Sequence, residues 1–111
     1  MQEIWKNIEW YKWVYQVSNL WNIRSTNYRL KWIIKELKLR RNDRYTKVTL
    51  FYQWIESTKN VHRLVAETFI KKPYNKNEVN HKDFNKHNNV IDNLEWVTQE
   101  ENRKHYLLFS K

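Results

Sequence analysis

Hydrophobic and polar positions change period twice along this chain. Up to residue 60 the apolar residues tend to alternate. Tyr15-Gln16-Val17 sets Val17 between polar neighbours, and Val48, Leu50 and Tyr52 share one face of a run whose other face is Lys47, Thr49 and Phe51. These spacings predict short β-strands. From 61 to 70 the period becomes helical, with Val61, Leu64, Val65, Thr68 and Phe69 on one side. Pro73 breaks the chain after that helix. The last third predicts strand, loop, strand, helix. Glu78-Val79-Asn80-His81 is a short strand, 82–93 a polar loop dense in Asn, and Leu94 and Trp96 alternate with Glu95 and Val97 in a second strand. Thr98-Gln99-Glu100-Glu101 is a capping box that opens a helix from about Gln99 to Phe109. The expected class is α+β, with a β-rich segment over 1–60 and a second unit over 61–111.

Composition sharpens this picture. The 111 residues include seven Trp, seven Tyr, one Pro, 14 Lys and 14 Asn, but no Gly and no Cys. Average usage would give roughly eight glycines. Without Gly there is no phosphate loop of the Walker or dinucleotide type, and without Cys no disulfide, thiolate zinc site or Cys nucleophile. No apolar run approaches the roughly 20 residues that span a bilayer, and the N-terminus lacks a signal pattern. A cytoplasmic protein without membrane contact is expected. The net charge of +9 is unevenly placed. Arg24, Arg29, Lys31, Lys35, Lys38, Arg40, Arg41, Arg44 and Lys47 face only Glu36 and Asp43, so that 24–47 alone carries +7. Tyr28, Trp32 and Tyr45 interleave with this stretch, which suits a phosphate backbone.

Candidate chemistry is sparse. The four His (His62, His81, His87 and His105) form no pair at zinc-ligand spacing. No nucleophile elbow surrounds Ser18, Ser25, Ser57 or Ser110, and the acids are too scattered for a glycosidase pair. What remains is His81 beside Asn80, with Asn93 across the loop and Asn102 on the helix. An imidazole next to hard oxygen donors suits metal-assisted phosphodiester hydrolysis, the His taking a proton from water and a divalent ion neutralising charge on the phosphate. The ordinary alternative is a set of hydrogen-bonded loop residues.

The stretches Val61-His62-Arg63-Leu64-Val65-Ala66-Glu67-Thr68-Phe69-Ile70, Glu78-Val79-Asn80-His81-Lys82-Asp83, Asn85-Lys86-His87-Asn88-Asn89 and Asn93-Leu94-Glu95-Trp96-Val97-Thr98 through Asn102 resemble the HNH endonucleases, in the branch found in phage and intron-encoded homing enzymes. Ile4-Trp5-Lys6, Tyr15-Gln16-Val17-Ser18-Asn19-Leu20 and Ile23-Arg24-Ser25 resemble the short module that commonly precedes that domain. The resemblance implies a ββα-metal nuclease fold after a small β-rich module that contacts DNA. It implies His81 as general base, Asn93 as the brace of the loop, and Asn80 and Asn102 as ligands of one divalent ion, Mg²⁺ or Mn²⁺. Relatives often carry Asp where Asn80 stands. His105, one turn past Asn102, could face the same site, and His62 and Arg63 also match the pattern. Arg24, Arg40, Arg41, Arg44, Lys47 and Arg63 are then the expected contacts to double-stranded DNA, held by a monomer. Many relatives continue in a further DNA-binding segment beyond the point where this chain stops, at Lys111.

The family also places glycines where this chain has none. Its Gly positions in the N-terminal module fall on Trp10, Trp13 and Trp21, and a hairpin Gly falls on Trp54, with Trp32 a further such site. Trp5 and Trp96 match the family as Trp. Replacing the smallest side chain by the largest at turns that need positive φ has no packing logic. A UGA codon read as Gly at the source and translated here as Trp would explain both counts; the alternative is that the Trp are real and make aromatic contacts in the core or on DNA. Phe84, in a turn where relatives often read Asp-Gly-Asn, cannot arise from that codon. Two other readings stand beside the nuclease: a DNA-binding protein without cleavage, and an RNA-binding module built on exposed Trp and Tyr.

Overall fold

A computed structural model describes residues 1–11, 13–28 and 30–109. Lys12, Arg29, Ser110 and Lys111 lie outside the described residues, Arg29 of the basic stretch among them. The first four strands, β1 (Trp5–Asn7), β2 (Tyr15–Ser18), β3 (Ile23–Tyr28) and β4 (Ile33–Glu36), form one antiparallel meander in chain order. β5 (Arg40–Arg41), β6 (Thr46–Tyr52) and β7 (Ile55–Asn60) form a second. Helix α1 (Val61–Phe69) follows without a linker. The antiparallel pair β8 (Glu78–His81) and β9 (Leu94–Val97) then leads into α2 (Gln99–Phe109).

The expected alternation is present in β6, where Val48 and Leu50 are buried and Phe51 is exposed. α1 buries Val61, Leu64 and Val65. These residues share one core with Ile8, Tyr15, Val17 and Ile23 from the first meander and Leu94 from β9. Fully burying such side chains stabilises by about 1.5–3 kcal/mol each. The segments 1–60 and 61–109 therefore enclose a common apolar interior.

The polar residues of the N-terminal motif are joints of this fold. Tyr15 Oη accepts from Phe51 N at 3.0 Å, joining the two meanders. Ser18 Oγ accepts from Asn22 N at 3.1 Å inside the β2–β3 turn. Asn19, buried, accepts from Ile4 N at 2.7 Å through Oδ1, and its carbonyl accepts from Ile91 N at 3.1 Å. This last bond ties the first meander to the loop before β9. At the far end the capping box closes reciprocally: Glu101 N donates to Thr98 Oγ1 at 3.0 Å and Thr98 N to Glu101 Oε1 at 2.9 Å.

Candidate active site

β8 ends on two buried polar residues, Asn80 and His81. α2 presents Asn102 and, one turn later, His105 on the same side. All four line a single cavity of about 520 Å³, with Tyr45 and Glu78 also on its wall. A second cavity, of about 440 Å³ and walled by Ile8, Tyr11, Tyr52 and Leu64, contains no His or Asn.

His81 Nε2 lies 2.7 Å from Asn89 Oδ1. An amide oxygen only accepts, so with this amide orientation Nε2 carries the proton and Nδ1 keeps the lone pair. Burial pushes the His81 pKa down, and the Asn89 bond and the Asp83 charge recover only part of that fall. The ring is therefore neutral at pH 7. Asn89 is fully buried and went unassigned in the sequence, because nothing in an Asn-rich loop distinguishes an amide that folds inward from one that faces water.

His62 is buried against the same ring. Its centroid lies 5.0 Å from those of both Tyr45 and His81, and its Nδ1 has no hydrogen-bond partner among the described residues. Burial, reinforced by His81, Arg63 and Lys86, lowers its pKa to about 3. It is a neutral packing group behind His81, not one lining the cavity.

Asn93 does not line the cavity either. Its Nδ2 donates to Asp83 Oδ1 at 2.9 Å and to Asn88 O at 2.8 Å, while its Oδ1 accepts from Asp83 N at 3.1 Å. These bonds draw the 82–93 loop together beside His81. Burial raises the Asp83 pKa, but hydrogen bonds from Asn88, the Asn85 backbone and Asn93 outweigh it and hold the carboxyl below its ordinary value.

The amides of Asn80 and Asn102 are each held by a carboxylate. Asn80 Nδ2 donates to Glu95 Oε2 at 2.8 Å, and Asn102 Nδ2 to Glu78 Oε1 at 3.0 Å. Strand register explains the first pair, because Asn80 stands directly opposite Glu95. Neither Glu was singled out in the sequence, since pairing becomes visible only once β8 and β9 are aligned. No group of three or more His, Cys, Asp or Glu converges among the described residues. With the amide nitrogens engaged, the amide oxygens are the atoms left to meet a cation. Neutral oxygen donors with carboxylates close behind fit a hard divalent ion that keeps part of its water shell. His105 joins the site through Nδ1, 3.3 Å from Asn80 Nδ2, and its ring stacks on Phe84 at 4.4 Å.

The basic residues divide into two groups. Arg24 lies over the Trp5 ring at 4.1 Å and donates from Nε to Gln16 Oε1 at 2.8 Å. Arg63 donates to Asn77 O at 3.1 Å and lies over Trp96 at 5.4 Å. Both guanidinium groups are engaged within the fold. Arg40, Arg41 and Arg44 are exposed on the β5–β6 hairpin, where Arg40 pairs with Lys47. That hairpin reaches the site: Thr46 Oγ1 is 2.8 Å from His87 Nδ1, and Lys86 lies over the Tyr45 ring at 5.3 Å.

A hairpin with His at the end of its first strand, followed by a helix carrying Asn, is the arrangement of a ββα nuclease. The sequence pattern of the HNH endonuclease family matches residues 59–104, so this segment of the chain belongs to that family. Its relatives include two uncharacterised HNH endonucleases of Acanthamoeba polyphaga mimivirus. Each is 41% identical, over 91 and 108 residues, covering 82% and 93% of this chain and 26% of each relative. The DNA endonuclease I-HmuI of Bacillus phage SP01 is 40% identical over 102 residues, covering 88% of this chain and 54% of that protein. A solved structure of the HNH homing endonuclease I-HmuI, described as showing DNA binding and cleavage, superposes with a TM-score of 0.81 at 38% identity. That match covers 94% of this chain and 57% of the other. The chain thus spans about half the length of I-HmuI and about a quarter of the viral relatives. No helix among the described residues is long and apolar enough to cross a membrane.

Proposed function

We propose that this chain is a divalent-metal-dependent DNA endonuclease of the homing type, with His81 as the general base of phosphodiester hydrolysis. The observation that carries the reading is His81 itself: buried, neutral, held through Nε2 by Asn89 and set in one cavity with the amides of Asn80 and Asn102. His81 Nδ1 takes a proton from the attacking water. Asn80 and Asn102 would hold one Mg²⁺ or Mn²⁺, which when bound neutralises charge on the phosphate and the leaving oxygen. Glu78 and Glu95 orient those amides and bring negative charge near Asn80, where relatives often carry Asp. Asn93 keeps the loop in place. The DNA binding and cleavage described for I-HmuI support DNA as the substrate.

Purified protein is expected to cut or nick duplex DNA with Mg²⁺ or Mn²⁺ and to stop when EDTA is added. Tight binding without scission in either metal would replace this reading with that of a non-cleaving DNA-binding protein.

Arg40, Arg41, Arg44 and Lys47 would meet backbone phosphates, which position a duplex without reading its sequence; the exposure of the three arginines supports this. The triple variant Arg40→Ala/Arg41→Ala/Arg44→Ala is expected to weaken DNA binding uniformly across sequences. It should flatten the slope of log affinity against log salt by roughly 2.5 to 3, about 0.9 for each phosphate no longer neutralised. Titrations at several salt concentrations measure this, and an unchanged slope removes the hairpin from the interface.

A further inference from the structure

We propose that the functional protein carries Gly at positions 10, 13, 21, 32 and 54, inserted at UGA codons by a glycine-charged tRNA of the cell that expresses it. The backbone supplies evidence independent of any relative. Eight described residues have positive φ, and five of them are Trp: Trp10 (76°), Trp13 (67°), Trp21 (62°), Trp32 (55°) and Trp54 (68°). Bulky residues are genuine outliers in this region, which Gly enters at no steric cost.

Each site is a turn whose geometry asks for Gly. Tyr11 N donates to Ile8 O, which puts Trp10 at the third position of a turn where positive φ marks type II. Val14 N donates to Tyr11 O in the same way around Trp13. Trp21 N donates to Ser18 O and Ser18 N to Asn22 O, the pattern of a three-residue hairpin loop that ends in a left-handed residue. Trp32 closes the loop before β4. Gln53 and Trp54 are the two central residues between paired Tyr52 and Ile55, both at positive φ, as a type I′ turn requires.

The side chains agree with the backbone. Trp54, Trp10, Trp32 and Trp13 are 101%, 83%, 78% and 73% exposed, so these large apolar rings pack on almost nothing. Trp21 alone of the five lies against the core. The other two Trp behave as Trp should. Trp5 in β1 covers Arg24, and Trp96 in β9 is buried with Nε1 donating to Ile70 O at 3.0 Å. Seven residues of one type thus fall into two structural classes, as two codons would produce. A cell that reads UGA as stop would end the chain after residue 9, so the same codons confine this protein to cells that insert Gly there.

The coding DNA tests this directly. UGA is expected at positions 10, 13, 21, 32 and 54 and UGG at 5 and 96. UGG at the five turn positions overturns the proposal and leaves an aromatic surface, and UGA at 5 or 96 overturns the two-class division. At the protein level, the quintuple variant Trp10→Gly/Trp13→Gly/Trp21→Gly/Trp32→Gly/Trp54→Gly should have a Tm about 10 °C or more above that of the chain with seven Trp. If the seven-Trp chain does not fold, folding of the quintuple variant is the supporting result. Trp5→Gly or Trp96→Gly should lower Tm. An unchanged or lower Tm for the quintuple variant counts against Gly at the turns, whatever the outcome of any cleavage assay.

Discussion

Replacing His81 by Ala is expected to slow DNA strand scission by about 10²–10⁴-fold, the usual worth of a positioned general base, while DNA affinity stays close to that of the parent. The two effects separate because different elements produce them. In the proposed function scission depends on an imidazole fixed by Asn89 at 2.7 Å. Binding is assigned by that proposal to the exposed arginines of the β5–β6 hairpin, which the substitution does not touch. The pH profile offers a second readout. Because burial lowers the His81 pKa, the base stays unprotonated below the ordinary His value of about 6.5. The acidic limb of the parent's profile is therefore expected below pH 6.5. Equal cleavage by the parent and His81→Ala would remove His81 from the chemistry.

The second large effect is on stability in mild acid. In the unfolded chain His62 takes up a proton near pH 6.5, whereas in the folded protein it stays neutral down to about 3. Between those values the unfolded state binds more protons, so stability is present above pH 6.5 and is lost as pH falls toward 3. By pH 5 the loss is about 2 kcal/mol. That is a sizeable share of the roughly 5–15 kcal/mol that holds a small domain together. His81 acts in the same direction. Most carboxyl groups titrate below about pH 4.5, so the interval from 6.5 to 5 isolates the imidazoles. His62→Phe keeps a neutral ring between Tyr45 and His81 and should flatten the decline. Urea unfolding at pH 7 and pH 5 measures it. A parent whose stability does not change over that interval would refute the assignment.

Much of the architecture was legible because it rests on local rules. The 82–93 loop, the strand pair at 78–81 and 94–97 and the capped helix from 99 to 109 follow from alternation, Asn density and one Thr-x-x-Glu pattern, and each lies where the sequence puts it. Asn80, His81, Asn102 and His105 do meet in one cavity. Less legible were the roles that depend on distant neighbours. Charge marked Arg24 and the family resemblance marked Arg63 as DNA contacts, but neither signal shows that one guanidinium stacks on Trp5 and the other bonds Asn77. Asn89, Glu78 and Glu95 passed unassigned for the same reason. An amide or carboxylate becomes a support only when the fold brings its partner across the sheet. Phe84 shows the same limit: the sequence marks a misplaced turn residue, and only the structure reveals its ring stacked on His105.

The shared interior sets how this protein can be rearranged. β7 ends at Asn60 and α1 begins at Val61, with no residue between them. The helix spends its apolar side on strands from both meanders and on β9. Transplanting residues 61–109 onto a different N-terminal segment would carry Val61, Leu64 and Val65 along uncovered, and the recipient would need to supply a matching sheet. For this chain the β-rich segment is part of the wall of the 61–109 unit, so substitutions meant to leave that unit intact belong on the outward-facing residues of the hairpins, with the inward-facing ones left in place.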